Sequence, residues 1–190
     1  MKKFLNWAAA IATTGLVALA TPATAAPVLG AQLYWAGGDI SVTVQPATAG
    51  YVSELKLFSA DPDIFIALNT NVGTTVTIDE ATLALSHAIG DELVFGIFVR
   101  DTSDTFLMGP ASRNVDGEVH NGIETLSGGV LRVGFEDLRG GGDRDYDDNV
   151  FDFKGGVRTS FVPEPGSLAL VGLALVGVAG LSRRKASAQR

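Results

Sequence analysis

Between Pro27 and Pro163 the chain alternates apolar and polar positions in short runs, which is the period of half-buried strands. In AQLYWAGGDISVTVQP, Ile40, Val42 and Val44 share one face after a turn at Gly37-Gly38-Asp39. Leu55 and Leu57 share the next face; Ile64, Phe65 and Ile66 follow Asp61-Pro62-Asp63, and Val76 and Ile78 close that stretch. Leu93 to Arg100 and Thr105 to Met108 predict a hairpin joined at Asp101-Thr102-Ser103-Asp104. Leu131, Val133 and Phe135, then Phe151 and Phe153, predict a last pair of strands. β-Branched and aromatic residues fill these runs, and Gly, Asn and Asp separate them, so the body reads as all-β. The expectation is one β-sandwich, jelly-roll-like, over residues 27–160. Its one helical segment, Asp79 to Ser86, has the length of a turn or two at the surface.

Both ends break the pattern. Lys2 and Lys3, an apolar run from Ala8 to Ala20 and the small residues Ala23-Thr24-Ala25 have the layout of a secretory signal peptide over residues 1–26, cut after Ala25 or Ala26. That implies passage through the Sec export machinery. At the other end, an apolar run from Leu168 to Leu181 follows Pro163-Glu164-Pro165 and precedes Arg183, Arg184 and Lys185. A helix over 168–181 rises about 21 Å, short of the roughly 30 Å hydrocarbon core, so alone it is a marginal span. The basic cluster stops it with its C-terminal side in the cytoplasm. Together the ends describe a protein held transiently in the inner membrane with its body outside.

Setting the ends aside changes the charge. Between Pro27 and Glu164 lie all 21 acidic residues but only eight of the 14 basic ones, a net of −13 against −7 for the whole chain. Such a field disfavours nucleic acid and anionic membrane as ligands and attracts cations. The chain has no cysteine, which excludes disulfides, a cysteine nucleophile and a cysteine-ligated metal.

The densest acidic point is GGGDRDYDDNVFDF, Gly140 to Phe153, in the connection between the last two predicted strands. That connection, about Asp137 to Asp148, exceeds the two to five residues usual in a hairpin. Asp143, Asp145 and Asp147 alternate, so a loop curling about one point brings their carboxylates together, and Gly140 to Gly142 permit the positive φ angles of such a curl. Carboxylates plus loop carbonyls are a Ca2+-type ligand set. Counted from Asp143, positions one, three and five suit an EF-hand, but the sixth is Asp148 instead of Gly and the twelfth is Lys154 instead of Glu. The flanks are also strands, so the loop is not an EF-hand. The closing ligands must come from outside it: Glu136 and Asp137 first, with Asp148 as a further one. The competing reading is a solvated loop whose carboxylates pair with Arg139 and Arg144.

Nothing in the pattern announces catalysis. His87 and His120 have no spaced partner for zinc, and no Gly-x-Ser-x-Gly elbow occurs. RGGGDRD lacks the Lys-Ser/Thr of a phosphate loop, and its acids would repel phosphate. Tyr34, Trp35 and Tyr146 could stack on sugars, although Tyr34 and Trp35 read better as strand or core residues.

Two resemblances add to this. Val162-Pro163-Glu164-Pro165, the short apolar span and the Arg-rich end resemble the PEP-CTERM sorting signal of Gram-negative bacteria; the extra ASAQR after the basic cluster is a departure. The resemblance implies processing by an exosortase, an integral-membrane peptidase, then a place on the cell surface or in the extracellular matrix. That system accompanies exopolysaccharide and biofilm genes, which makes an exopolysaccharide a further candidate partner. Separately, LVFGIFVRDTSDTFLMGPASRNVDGEVHNGIETL and VGFEDLRGGGDRDYDDNVFDF resemble domain of unknown function family 4114 over residues 92–153. That family carries Asn at the position of Asp148 or Asp147, which implies that one of the two is replaceable. The expected function is that of a non-enzymatic, calcium-stabilised exported protein. The alternative is a calcium-dependent carbohydrate-binding module.

Overall fold

The computed structural model of the protein describes residues 26–159. The expected signal peptide up to residue 25, Pro163-Glu164-Pro165, the apolar segment 168–181 and Arg183, Arg184 and Lys185 lie outside the described residues. The strands in chain order are β1 Val28–Leu29, β2 Leu33–Val44, β3 Ser53–Leu57, β4 Ile64–Leu68, β5 Thr75–Ile78, β6 Glu92–Leu93, β7 Phe95–Val99, β8 Asp104–Leu107, β9 Asn121–Thr125, β10 Leu131–Phe135 and β11 Asn149–Thr159. One α-turn, α1 (Glu80–Leu83), interrupts them, started by Asp79, whose carboxylate accepts the Thr82 N–H at 2.7 Å. No helix among the described residues is long and apolar enough to cross a membrane.

The all-β expectation holds. The strands form two sheets in which every pair is antiparallel. The larger runs β1-β9-β10-β11-β2-β5 with β6 also on β2, and the smaller runs β4-β3-β7-β8. Alternation supplies the reason: Leu55 and Leu57 of β3, Ile97 and Val99 of β7, Val133 and Phe135 of β10, and Phe151 and Phe153 of β11 are all buried. They belong to one hydrophobic cluster fed by both sheets. Phe95 of the smaller sheet meets Phe153 of the larger edge-on, with ring centroids 4.8 Å apart, a geometry that aromatic quadrupoles favour. Both expected hairpins form, β7–β8 closing at Val99↔Asp104 and β10–β11 at Phe135↔Asn149.

One expectation is corrected. Gly37-Gly38-Asp39 is not a turn before a strand; β2 runs through it without a break. Gly37 and Gly38 take φ of +89° and +78°, and opposite them the β11 register shifts between Gly155 and Val157. A Cβ on Gly156 would lie 2.6 and 2.5 Å from the carbonyls of Gly37 and Gly38. The glycines therefore form a bulge, in which the backbones press together and the strand bends, instead of a chain reversal. Trp35 Nε1 ties it by donating to the Gly38 carbonyl at 3.0 Å.

The fold positions one long loop. β10 and β11 pair from Leu131↔Phe153 to Phe135↔Asn149, and the chain between them, 136–148, emerges at one end of the larger sheet. Its returning limb is braced by the segment after β2: Thr48 N–H donates to the Asp147 carbonyl at 3.1 Å and Ala49 N–H to the Asp148 carbonyl at 3.2 Å.

If the shared core carries the fold, Phe153→Ala should lower unfolding free energy by about 3–5 kcal/mol, whereas Phe65→Ala should change it by about 0.5 kcal/mol or less. Phe153 is fully buried and Phe65 is 52% exposed. Denaturant unfolding of both variants checks this, and comparable losses would contradict it.

Candidate metal centre

At the mouth of the β10–β11 hairpin the burial pattern continues past the strands. Leu131, Val133 and Phe135 point into the core, so Arg132, Gly134 and Glu136 lie on the opposite face of the sheet, by the two-residue period of a strand. Glu136 nevertheless has no exposed surface, because the loop folds back over it. The Tyr146 carbonyl lies against Gly134, in space that a Cβ would need, and the Tyr146 N–H donates to Glu136 Oε1 at 2.6 Å. Glu136 Oε2 is buried with no hydrogen-bond partner. A side chain at Gly142, where φ is +47°, would collide with that oxygen, so glycine keeps the space in front of it open.

Into that space come Asp143 and Asp145. Carboxylate oxygens of Glu136, Asp143 and Asp145 lie within 4.8 Å of one another. Arg144 and Tyr146, between and after the two aspartates, hold φ of +66° and +59°. For residues with a Cβ the left-handed region costs on the order of 1–2 kcal/mol each, so the tight curl of the loop is maintained against a local preference. The other expected ligands go elsewhere. Asp147 Oδ1 accepts the Thr48 hydroxyl at 2.5 Å, and Asp148 Oδ2 accepts the Asp137 N–H at 3.2 Å. Asp137 points to the core side, 2% exposed, beside Asn149.

The arginines do not neutralise this cluster. Arg139 is turned to Asp104, with contacts of 2.9 and 2.6 Å, and Arg144 to Glu118 at 3.3 Å. The pairing of Arg139 and Arg144 with the loop's own carboxylates, which the competing reading required, does not occur: both reach carboxylates outside the loop. Like charges this close repel by about 1 kcal/mol per pair in water and about 4 at a protein surface. Burial, and then the charges of Asp148, Asp143 and Asp145, push the Glu136 carboxyl up, with the Tyr146 N–H acting against them. Partial desolvation and the charges of Asp147 and Asp143 push Asp145 up as well. Three oxygens at this spacing fit around one cation, since ligands about 2.3–2.6 Å from Ca2+ are separated by at most about 5 Å.

Two groups that no spacing rule singled out hold the frame. His120, fully buried and stacked on Phe106 at 3.9 Å, sets Nδ1 3.1 Å from the Glu136 carbonyl and Nε2 2.9 Å from Asp116. Asp116 also accepts the Gly140 N–H at 2.9 Å, so one carboxylate ties the start of the loop to its floor. Burial works against its ionisation, yet the Gly140 N–H, His120 and the Glu118 N–H outweigh it and hold Asp116 at about 2. The link from His120 to Glu136 passes through the pairing of β9 with β10 and leaves no local trace in the sequence. His87, by contrast, meets the hydroxyls of Ser59 and Ser86, each at 2.9 Å.

Beside the cluster, on the outer face of the larger sheet, lies a cleft of about 450 Å³ whose lining includes Gln45, Glu124, Arg132, Asp145, Tyr146 and Asp147. Gly122 and Gly134, which pair directly across β9 and β10, also line it, and Tyr146 lies against both.

An all-β domain with a carboxylate cluster in the loop of its last hairpin is thus the class of protein that fold and site define. Residues 63–156 match the family model described as Domain of unknown function (DUF4114), and residues 161–185 match that of the PEP-CTERM protein-sorting motif. The chain carries a DUF4114 domain followed by a PEP-CTERM sorting signal, as the two resemblances implied. The first match begins upstream of the 92–153 stretch and takes in β4, β5 and α1. It still omits β2 and β3, each an interior strand of its sheet. The PEP-CTERM motif implies export, transient anchoring in the membrane and processing by an exosortase, a membrane peptidase. No curated protein and no solved structure matches the chain.

Asp137, buried, and Asp116, half-buried, give opposite pH dependences. Asp137 is pushed up to about 6, by burial first and then by the Asp148 charge. A raised folded-state value means that the native state binds the extra proton, so stability falls as pH rises from about 4 to about 6. Asp116, held at about 2, contributes stability that is lost as pH falls from about 4 to about 2. In calcium-depleted buffer Tm should therefore peak between these windows, near pH 4, and Asp137→Asn should flatten the alkaline side of the peak. A Tm that rises steadily from pH 4 to 6 in the unmodified chain would contradict the assignment.

Proposed function

We propose that this is a non-enzymatic exported protein whose last hairpin is organised by a structural Ca2+ ion. It would be delivered by the exosortase route to the cell surface or extracellular matrix, where it serves an exopolysaccharide-rich or biofilm setting. We read the two sheets as a jelly-roll-like β-sandwich, with the ion at one end of it. The observation that carries the reading is Glu136 Oε2, buried, without a hydrogen-bond partner and facing the gap that Gly142 leaves beside Asp143 and Asp145. An ionised carboxylate out of water needs a counter-charge, and no arginine of the loop supplies one. A hard divalent cation supplies it, with loop carbonyls and water completing the six to eight oxygen ligands of Ca2+. Glu136, Asp143 and Asp145 are the first ligands of this site; Asp147 braces the loop through Thr48.

A second reading is favoured by the cleft, because Asp145 and Asp147 line it as well. In that reading the domain is a calcium-dependent carbohydrate-binding module, with Tyr146 and Arg132 against the sugar. Calcium-dependent retention on exopolysaccharide separates the two, since the structural reading expects none.

Extracellular calcium modules bind at about 10⁻⁴–10⁻³ M, so 10 mM Ca2+ should stabilise by about 1.4–2.7 kcal/mol. For a domain of this size that corresponds to about 4–10 °C in Tm. Thermal unfolding of the full chain in detergent, with calcium or with chelator at neutral pH, measures it. Asp145→Asn should remove most of the shift and Asp63→Asn none of it. A midpoint unchanged by calcium would overturn the reading.

A further inference from the structure

The hairpin mouth has two faces, and the calcium loop uses only one. Glu136 lies on the outer face with Gly134 and Arg132. Asp137 has the parity of Val133 and Phe135 and lies on the core side, 2% exposed. Asn149 pairs with Phe135, has the parity of Phe151 and Phe153, and is likewise fully buried on that side. The only hydrogen bond between them is long: Asn149 Nδ2 donates to Asp137 Oδ2 at 3.4 Å, beyond the range of a good contact. Asn149 Oδ1 is buried with no partner at all. Asp148 completes the group, its Oδ2 accepting the Asp137 N–H at 3.2 Å.

This is a polar cluster that its own atoms do not satisfy. Turning the Asn149 amide over would bring Oδ1 against the Asp137 carboxylate, and two oxygens meet there only with a proton or a metal cation between them. In the present orientation Oδ1 is left orphaned, at the cost of an unpaired buried acceptor. No arginine or lysine contacts Asp137 or Asp148 among the described residues, while Arg139 and Arg144 are committed to Asp104 and Glu118. Two carboxylates and one amide carbonyl carry two negative charges and present hard oxygen atoms only, the donor chemistry of a small divalent cation.

We propose that Asp137, Asp148 and the side-chain carbonyl of Asn149 bind a second divalent cation on the core side of the hairpin mouth. The two ions would sit on opposite faces of one β-hairpin end, each closed by one of the adjacent residues Glu136 and Asp137. The second ion neutralises the inner pair of carboxylates and gives Asn149 Oδ1 its missing partner. None of its ligands is shared with the first site, although Asp148 lies in the same loop and its charge also acts on Glu136.

Counting bound Ca2+ by calorimetry on the full chain in detergent tests the proposal. The unmodified chain should bind two ions, Asp145→Asn one and Asp137→Asn one, with the ion lost differing between the two variants. Asn149→Asp guards against loss of folding in Asp137→Asn: the added carboxylate should tighten the second ion by about tenfold or more. A single ion abolished by Asp145→Asn but untouched by Asp137→Asn would overturn the second site and leave the loop site standing. So would a single ion abolished by both variants, which would mean one shared site. No bound ion would overturn both readings, and unchanged affinity in Asn149→Asp would overturn the second alone.

Discussion

A carboxylate with no exposed surface at the open end of a hairpin is the constraint around which this end of the molecule is arranged. Glu136 sits under its own loop, with one oxygen on the Tyr146 N–H and the other unpaired. To let the loop lie that low, Gly134 must lack a side chain under the Tyr146 carbonyl, and Gly142 must lack one in front of Oε2. To hold it there, His120 grips the Glu136 carbonyl and Asp116 grips the Gly140 N–H. The left-handed residues Arg144 and Tyr146 then aim Asp143 and Asp145 at the same space. Together these features bring three carboxylates close, and a bound cation would turn their repulsion into attraction.

The strands were legible because their alternation is physical. A side chain at every second position must be apolar if one face is buried, and Leu131 to Phe135 and Phe151 to Phe153 obey this without exception. Gly37-Gly38 misled, because positive φ serves a bulge as well as a turn, and only the partner strand decides which. The acidic loop was legible as a whole but not in detail. Alternation of Asp143, Asp145 and Asp147 suggests one convergent set, yet Thr48, nearly a hundred positions upstream, draws Asp147 away. Arg139 and Arg144 are adjacent to the acids in sequence and paired to others in space. His120 and Asp116 could not be found at all, since their role depends on β9 lying beside β10.

The two parts of the chain answer to different physics. The tail is recognisable from a short motif because a membrane and a peptidase read it linearly, and the PEP-CTERM match at 161–185 needs no fold. The domain is recognisable over 63–156, but its sheets close only with β2 and β3, which lie before the match. The net −13 between Pro27 and Glu164 belongs to the exported body, and it suits a setting in which divalent cations are abundant.

The central claim is that Glu136, Asp143 and Asp145 surround a cation. Anomalous diffraction from crystals of the protein grown in millimolar calcium addresses it most directly. The account predicts a calcium peak bridging Glu136 Oε2 and the two aspartates at about 2.3–2.6 Å. Well-ordered carboxylates at those positions with no peak between them would contradict it.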